Sequence, residues 1–188
     1  MEVLRLDITD PASIVAAAAA TDVDLLVNNA GISTGTNLLG SQLDAIRREL
    51  DTHLWGNLNM VRAFTPALAA NGGGAIVNVL SALSWFSYDG SNTDTVAKAA
   101  EWSMTNGIRL ELARQNTLVT GVVLGAADTG IMAGADYDGP LTGPAAARAA
   151  LDGVGKGLIE VVVDEWSAQV EASLAADPAE FQQQLLAT

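Results

Sequence analysis

Asp94 and Lys98, in the stretch SNTDTVAKAA (91–100), stand four residues apart, the spacing at which side chains meet on one helix face. Taken alone the two are an ion pair worth about 0.3–0.5 kcal/mol. Read as chemistry, they place an acid and a cation side by side. Two more residues of catalytic type lie elsewhere. Ser81 ends the apolar run GAIVNVLS (74–81), and His53 is the chain's one histidine. Whether these four can act together depends on the elements that carry them.

Apolar runs of strand length alternate with helical stretches. VLRLD (3–7), VDLLVNNAG (23–31), GAIVNVLS (74–81), LVTGVVLG (118–125) and LIEVVVDE (158–165) read as strands. Several are apolar on both faces, as in a parallel sheet covered by helices on each side. DPASIVAAAAA (10–20) reads as a helix with Asp10 as N-cap and Pro11 at its first position. A long helical stretch, 41–70, carries His53 and ends in NGGG; another is expected from about Thr93 to Arg114. The alternation predicts a single α/β domain over 1–188, a three-layer Rossmann-like sandwich with a mainly parallel sheet of about five strands. In such sheets ligands bind beyond the carboxyl ends of the strands, so NNAG (28–31), LSALSW (80–85) and GAADTG (125–130) are the turns to inspect. There the chemistry converges on Ser81, the 93–114 helix and the helix of His53. The segment GADYDGPLTGPAA (134–146) is expected to be a loop, a lid over those strand ends or a plain connection.

Composition narrows the classes. A net charge of −13 argues against nucleic acid and anionic membrane as partners. With no cysteine, disulfides, thiol catalysis and thiolate metal sites are excluded; one histidine excludes a His-rich metal site, and no metal is expected. The start carries acids instead of a basic flank with an apolar run, and no stretch approaches the roughly 20 apolar residues that span a bilayer. A cytoplasmic location is expected.

LDITD, DVDLLVNNAG, GGGAIVNVLSALSW, the Lys of TVAKAA and the later DTG, in this order and spacing, resemble the short-chain dehydrogenase/reductase family from the first residues to about Glu165. The resemblance implies a Rossmann-like fold and a dinucleotide site whose glycine-rich turn follows the first strand. This chain begins at what resembles the family's third strand, so two strands and two helices of the nucleotide half are expected to be lacking. Asp7 matches the position that contacts adenine, and Asn29, Ala30 and Gly31 match the cofactor-side turn, as remnants of a cofactor site. No cofactor is expected to bind. The family's catalytic group is Asn, Ser, Tyr and Lys, with Tyr four residues before Lys and Ser thirteen before Tyr. Ser81 and Lys98 match; Asp94 stands at the tyrosine position and His53 at the asparagine position.

A carboxylate is about 3 Å shorter than the phenol it replaces. Beside Lys98 it is expected to stay ionised, because an opposite charge favours the charged form. The family's redox reaction is then expected to be lost. Ser81, His53 and Asp94 supply the residue types of a hydrolase triad, with Lys98 beside them. The same His and Asp could run a dehydration or isomerisation by acid–base transfer on a small molecule. The alternatives are a catalytically inactive structural subunit and a residual NAD(P)-dependent oxidoreductase. Tyr88, six residues before Asp94, is a candidate substitute phenol. Trp55, Met60, Phe64, Trp102 and Met104 are expected in a core or interface, and the family's pairing through its two long helices implies a homodimer. An SDR-like partner subunit is the other expected association. The segment 164–188 reads as one amphipathic helix packed on the subunit or its neighbour. Finally, Val3–Asp7 is expected to move inward and pair in parallel with Leu25–Asn28, using the 11–20 helix as crossover. The competing arrangement is a second subunit covering that edge by strand exchange.

Overall fold

The computed structural model describes residues 3–132 and 142–186. Four parallel strands, β1 (Leu25–Asn28), β2 (Ala75–Ser81), β3 (Leu118–Leu124) and β4 (Glu160–Val162), stand in the order β1-β2-β3-β4. Asn28 is in register with Asn78, and Asn78 with Gly121. The helices are α1 (Pro11–Ala17) before β1, the connecting α2 (Leu43–Leu50), α3 (Asn57–Ala70), α4 (Asn92–Leu112) and α5 (Gly143–Gly155), and after β4 α6 (Glu165–Ser173) and α7 (Pro178–Leu186). A π-helical stretch, Asp51–Gly56, joins α2 to α3 without a break. The doubly wound reading of the apolar runs is therefore met, with β2 and β3 as the largely buried central strands.

The sheet has four strands where about five were expected, because Val3–Asp7 forms no strand and does not pair with β1. Its place is fixed from the other end. Ile8, Ile14 and Ala17 are buried in one core cluster with Leu26, Met60 and Phe64, which seats α1 on α3. The Asp7 amide donates to Ser13 Oγ (2.9 Å), and the Asp10 amide to the Asp7 carbonyl (3.1 Å). So anchored, Arg5–Thr9 stands across a cleft of about 480 Å³ from Ala30–Ile32 and Thr52 instead of beside β1.

The reading of the tail changes too, and others are placed. The C-terminal stretch is two helices, α6 and α7, interrupted before Pro178. Phe86 meets Trp166 and Phe181 edge-on there, at 5.2 and 5.9 Å. Met60 and Phe64 are core residues, whereas Trp55 is exposed. Of the 134–146 loop, residues 134–141 lie outside the described residues, and Gly143 already begins α5. Among the described residues no helix is long and apolar enough to cross a membrane.

Candidate functional site

Two polar stripes cross inside this otherwise apolar packing. Glu49, His53 and Asn57 recur every four residues through α2, the π-helical stretch and the start of α3, so they share one face. Asp94, Lys98, Glu101 and Thr105 form the matching stripe on α4, which packs against α2 and the π-helical stretch. Where they cross, His53 Nε2 lies 3.6 Å from Glu49 Oε2 and 3.7 Å from Asp94 Oδ1, and Nδ1 lies 3.6 Å from Glu101 Oε2. Nε2 also faces the turn after β1, 2.8 Å from the Ile32 carbonyl oxygen and 3.3 Å from the Ile32 amide nitrogen. The ring fits because residue 31 is glycine: a Cβ there would stand 2.7 Å from His53 Cε1.

Each carboxylate has a different support. Glu101 accepts from Lys98 Nζ at 2.9 Å and from Asn57 Nδ2. Glu49 Oε1 accepts from the Thr34 amide at 2.6 Å, while its Oε2 has no hydrogen-bond partner. Asp94 Oδ1 has none either. The cluster is deep: Glu49 and Glu101 are fully buried, and the Asp94 side chain keeps 14% of its surface.

The expected Asp94–Lys98 pair is corrected here. Lys98 Nζ donates to Glu101 Oε2 and to the Val79 carbonyl, both at 2.9 Å, so its hydrogen bonds go to other partners than Asp94. Burial pushes the Asp94 carboxyl above the ordinary aspartate range, outweighing the downward pull of Lys98 and His53. The expectation that the Lys98 charge governs the Asp94 carboxyl gives way to burial, because spacing along a helix does not show depth. Burial also pushes Glu101 up, but there the Lys98 charge and hydrogen bond, with the imidazole, prevail and hold it below its usual value.

Of the expected site residues, the fold brings His53, Asp94 and Lys98 into one cluster. Ser81 stands apart from that hydrogen-bond network. Its Oγ accepts from the Leu83 amide (3.1 Å), and among the described residues it makes no hydrogen bond to His53. Tyr88 is exposed and meets Phe86 edge-on at 6.5 Å. Asp7, Ala30 and Gly31 line the cleft, with Asn29 exposed next to them. The Asp7 carboxylate accepts from Thr9 Oγ1 (2.7 Å) and the Thr9 amide (2.9 Å), which lower its pKa. Glu49 and Glu101 were not expected in the site, although their four- and three-residue spacing from His53 and Lys98 was a signal.

The family model described as short chain dehydrogenase matches residues 1–138. Over 133 residues the chain is 33% identical to the short-chain dehydrogenase virD of Hypocrea virens, covering 68% of this chain and 46% of that protein. It is 32% identical over 136 residues to trans-4-hydroxycyclohexanecarboxylate dehydrogenase of Sinomonas cyclohexanicum, covering 70% and 52%. The chain spans about half the length of the curated relatives it matches. A crystal structure of a short chain dehydrogenase from Burkholderia cenocepacia in complex with NADP superposes with a TM-score of 0.93 at 34% identity, covering 98% of this chain and 80% of that one.

Proposed function

The chain belongs to the short-chain dehydrogenase family, and from that premise we propose that it is an acid–base catalyst dehydrating or isomerising a small hydroxy-carbonyl compound without a dinucleotide. The observation that carries this reading is the 3.7 Å approach of His53 Nε2 to Asp94 Oδ1, at the two positions where the family pattern has asparagine and tyrosine. Asp94 is the partly exposed member and meets the substrate; His53, 2% exposed, sits behind it. The Asp94 carboxylate removes the proton α to the carbonyl. The C–H electron pair becomes the new C=C bond, the β C–O bond breaks, and the same carboxyl returns its proton to the departing hydroxyl as water. Asp94 ends ionised, as it began. For isomerisation the proton returns to a second carbon. Lys98, tied to Glu101, offers positive charge to the intermediate enolate.

The family implies NAD or NADP. Asp7, Ala30 and Gly31 provide one wall of a cleft that suits an adenosine. Among the described residues the phosphates have no equivalent support. The 188 residues contain no G-x-G-x-x-G, and the N-terminus of α1 beside the cleft is capped by the Asp10 carboxylate, which accepts from the Ala12 amide. These residues do not fit the pyrophosphate, and no step is routed through the cofactor. The triad reading is the less supported one, since Ser81 and His53 share no hydrogen bond.

The test is a nucleotide-free screen of β-hydroxy carbonyl compounds alongside simple esters, in chelating buffer. Turnover of the former is expected, falling about 10²–10⁴-fold in Asp94→Asn, with Ser81→Ala close to the parent. Turnover that appears only with NADH or NADPH, or ester hydrolysis lost in Ser81→Ala, overturns the reading. A structural-subunit reading draws on the near-complete burial of Glu49, His53 and Glu101. It is favoured if no substrate turns over.

A further inference from the structure

Glu49 is the residue that the acid–base reading leaves unused. Its side chain is fully buried, and Oε2 points at His53 Nε2 from 3.6 Å with no hydrogen-bond partner. Asp94 Oδ1 points at the same nitrogen from 3.7 Å, also without a partner. A buried carboxylate oxygen left unbonded is costly, and two aimed at one point call for a shared positive charge. Lys98 bonds neither oxygen, because its ammonium is hydrogen-bonded to Glu101 and the Val79 carbonyl.

We propose that Glu49, His53 and Asp94 form a binding site for one divalent transition-metal ion, Zn²⁺ by its ligand chemistry. The three ligand atoms lie within 4.8 Å of one another. Metal–ligand distances of about 2.0–2.2 Å put neighbouring ligands of a tetrahedral ion about 3.4 Å apart, so the 3.6 and 3.7 Å separations from His53 are close to that geometry, and the carboxylates draw in from within the 4.8 Å span to complete it. One imidazole with two carboxylates suits Zn²⁺; Mg²⁺ asks for near-ideal octahedral oxygen ligation, and Ca²⁺ for six to eight oxygens. The Ile32 carbonyl oxygen, 2.8 Å from Nε2, is within reach as a fourth ligand.

The supporting groups are those a metal site needs. The Thr34 amide holds Glu49 Oε1 at 2.6 Å and so turns Oε2 inward. Glu101 faces Nδ1 at 3.6 Å, and is itself held by Lys98 and Asn57. A proton on Nδ1 leaves the Nε2 lone pair for the ion, with the carboxylate orienting the ring. Gly31 lets the ring lie against the turn after β1. The site shares two residues with the proposed catalyst but does not depend on it. On that reading, Zn²⁺ at Asp94 blocks the proton transfer and inhibits.

The experiment uses the whole chain after chelator treatment and dialysis, titrated with ZnCl₂ and separately with MgCl₂ by calorimetry, with no turnover involved. One Zn²⁺ per chain at micromolar affinity or tighter is expected, with Mg²⁺ far weaker. Glu49→Gln is expected to weaken Zn²⁺ binding at least about tenfold, and Glu101→Gln about 10–100-fold through the ring it orients. Because there is one histidine, its imidazole ¹⁵N resonances report directly in the unsubstituted protein, whatever the variants do to folding. A large Nε2 shift that saturates at one equivalent of Zn²⁺ is expected. An unmoved imidazole, or Zn²⁺ binding as tight in a folded Glu49→Gln as in the parent, overturns the site.

Discussion

Because Lys98 is hydrogen-bonded to Glu101, the Asp94 and Glu101 carboxyls of α4 respond to pH with opposite signs. Glu101 is held below its ordinary value of 4.5, so its contribution to stability is complete above that pH and is lost as the pH falls through the folded-state value. Asp94 is held above its ordinary 3.8, so the folded chain binds that proton more tightly than the unfolded chain does. Its contribution is greatest below 3.8 and declines as the pH rises through the folded-state value. Urea unfolding of chelator-treated protein across pH 3–8 checks both. Glu101→Gln leaves Lys98 buried without its counter-charge and is expected to cost about 3–5 kcal/mol at neutral pH, with the deficit shrinking in acid. Asp94→Asn is expected to stabilise the protein at neutral pH and to lose that advantage in acid. A destabilised Asp94→Asn at pH 7 would show that the carboxylate is better accommodated than its burial implies. At this scale the sequence allowed His53, Asp94 and Lys98 to be placed by counting from a motif. It could not show that Asp94 lies deep or that Lys98 turns three residues along to Glu101, because both depend on how two helices pack.

The elements that carry the site are held by backbone demands as much as by apolar packing. After α3 the chain must reverse within NGGG to enter β2, and Gly73 and Gly74 do so at φ of +123° and +80°. A Cβ on Gly74 would stand 2.3 Å from the Asp24 carbonyl oxygen, against the backbone leading into β1. Gly74→Ala therefore meets both a forbidden dihedral and a rigid neighbour. It is expected to lower stability by more than about 1 kcal/mol. Thermal unfolding followed by circular dichroism measures this; a melting temperature equal to the parent's would mean the turn can rebuild. The strands β1 to β4 were legible because each is an apolar run closed by turn residues. The π-helical stretch was not, since no residue type marks it, although it lies where His53 must reach the turn after β1. Pro178 marked the break between α6 and α7, which the amphipathic reading of the tail passed over.

For the whole molecule, the departure from expectation lies at the sheet's β1 side. Val3–Leu6 has the apolar content of a strand, but pairing is a tertiary event, and α1 is seated on α3 so as to hold that segment across the cleft. Among the described residues β1 has a neighbour on one edge only. Its Leu25 and Val27 side chains are exposed, Val27 by 49%, and Val3, Leu4 and Leu6 are exposed as well. An unpaired strand edge beside exposed aliphatic side chains favours association with another chain. The net charge of −13 opposes association at low salt, and added salt screens that repulsion. Light scattering coupled to size exclusion is therefore expected to give a mass above 19.3 kDa that rises with protein concentration and with salt. Val27→Lys, which puts a charge on the exposed face of the edge strand, is expected to return the mass toward the single chain with little change in melting temperature. A monodisperse 19.3 kDa species in high salt, unaffected by Val27→Lys, would mean that this face is inert as it stands.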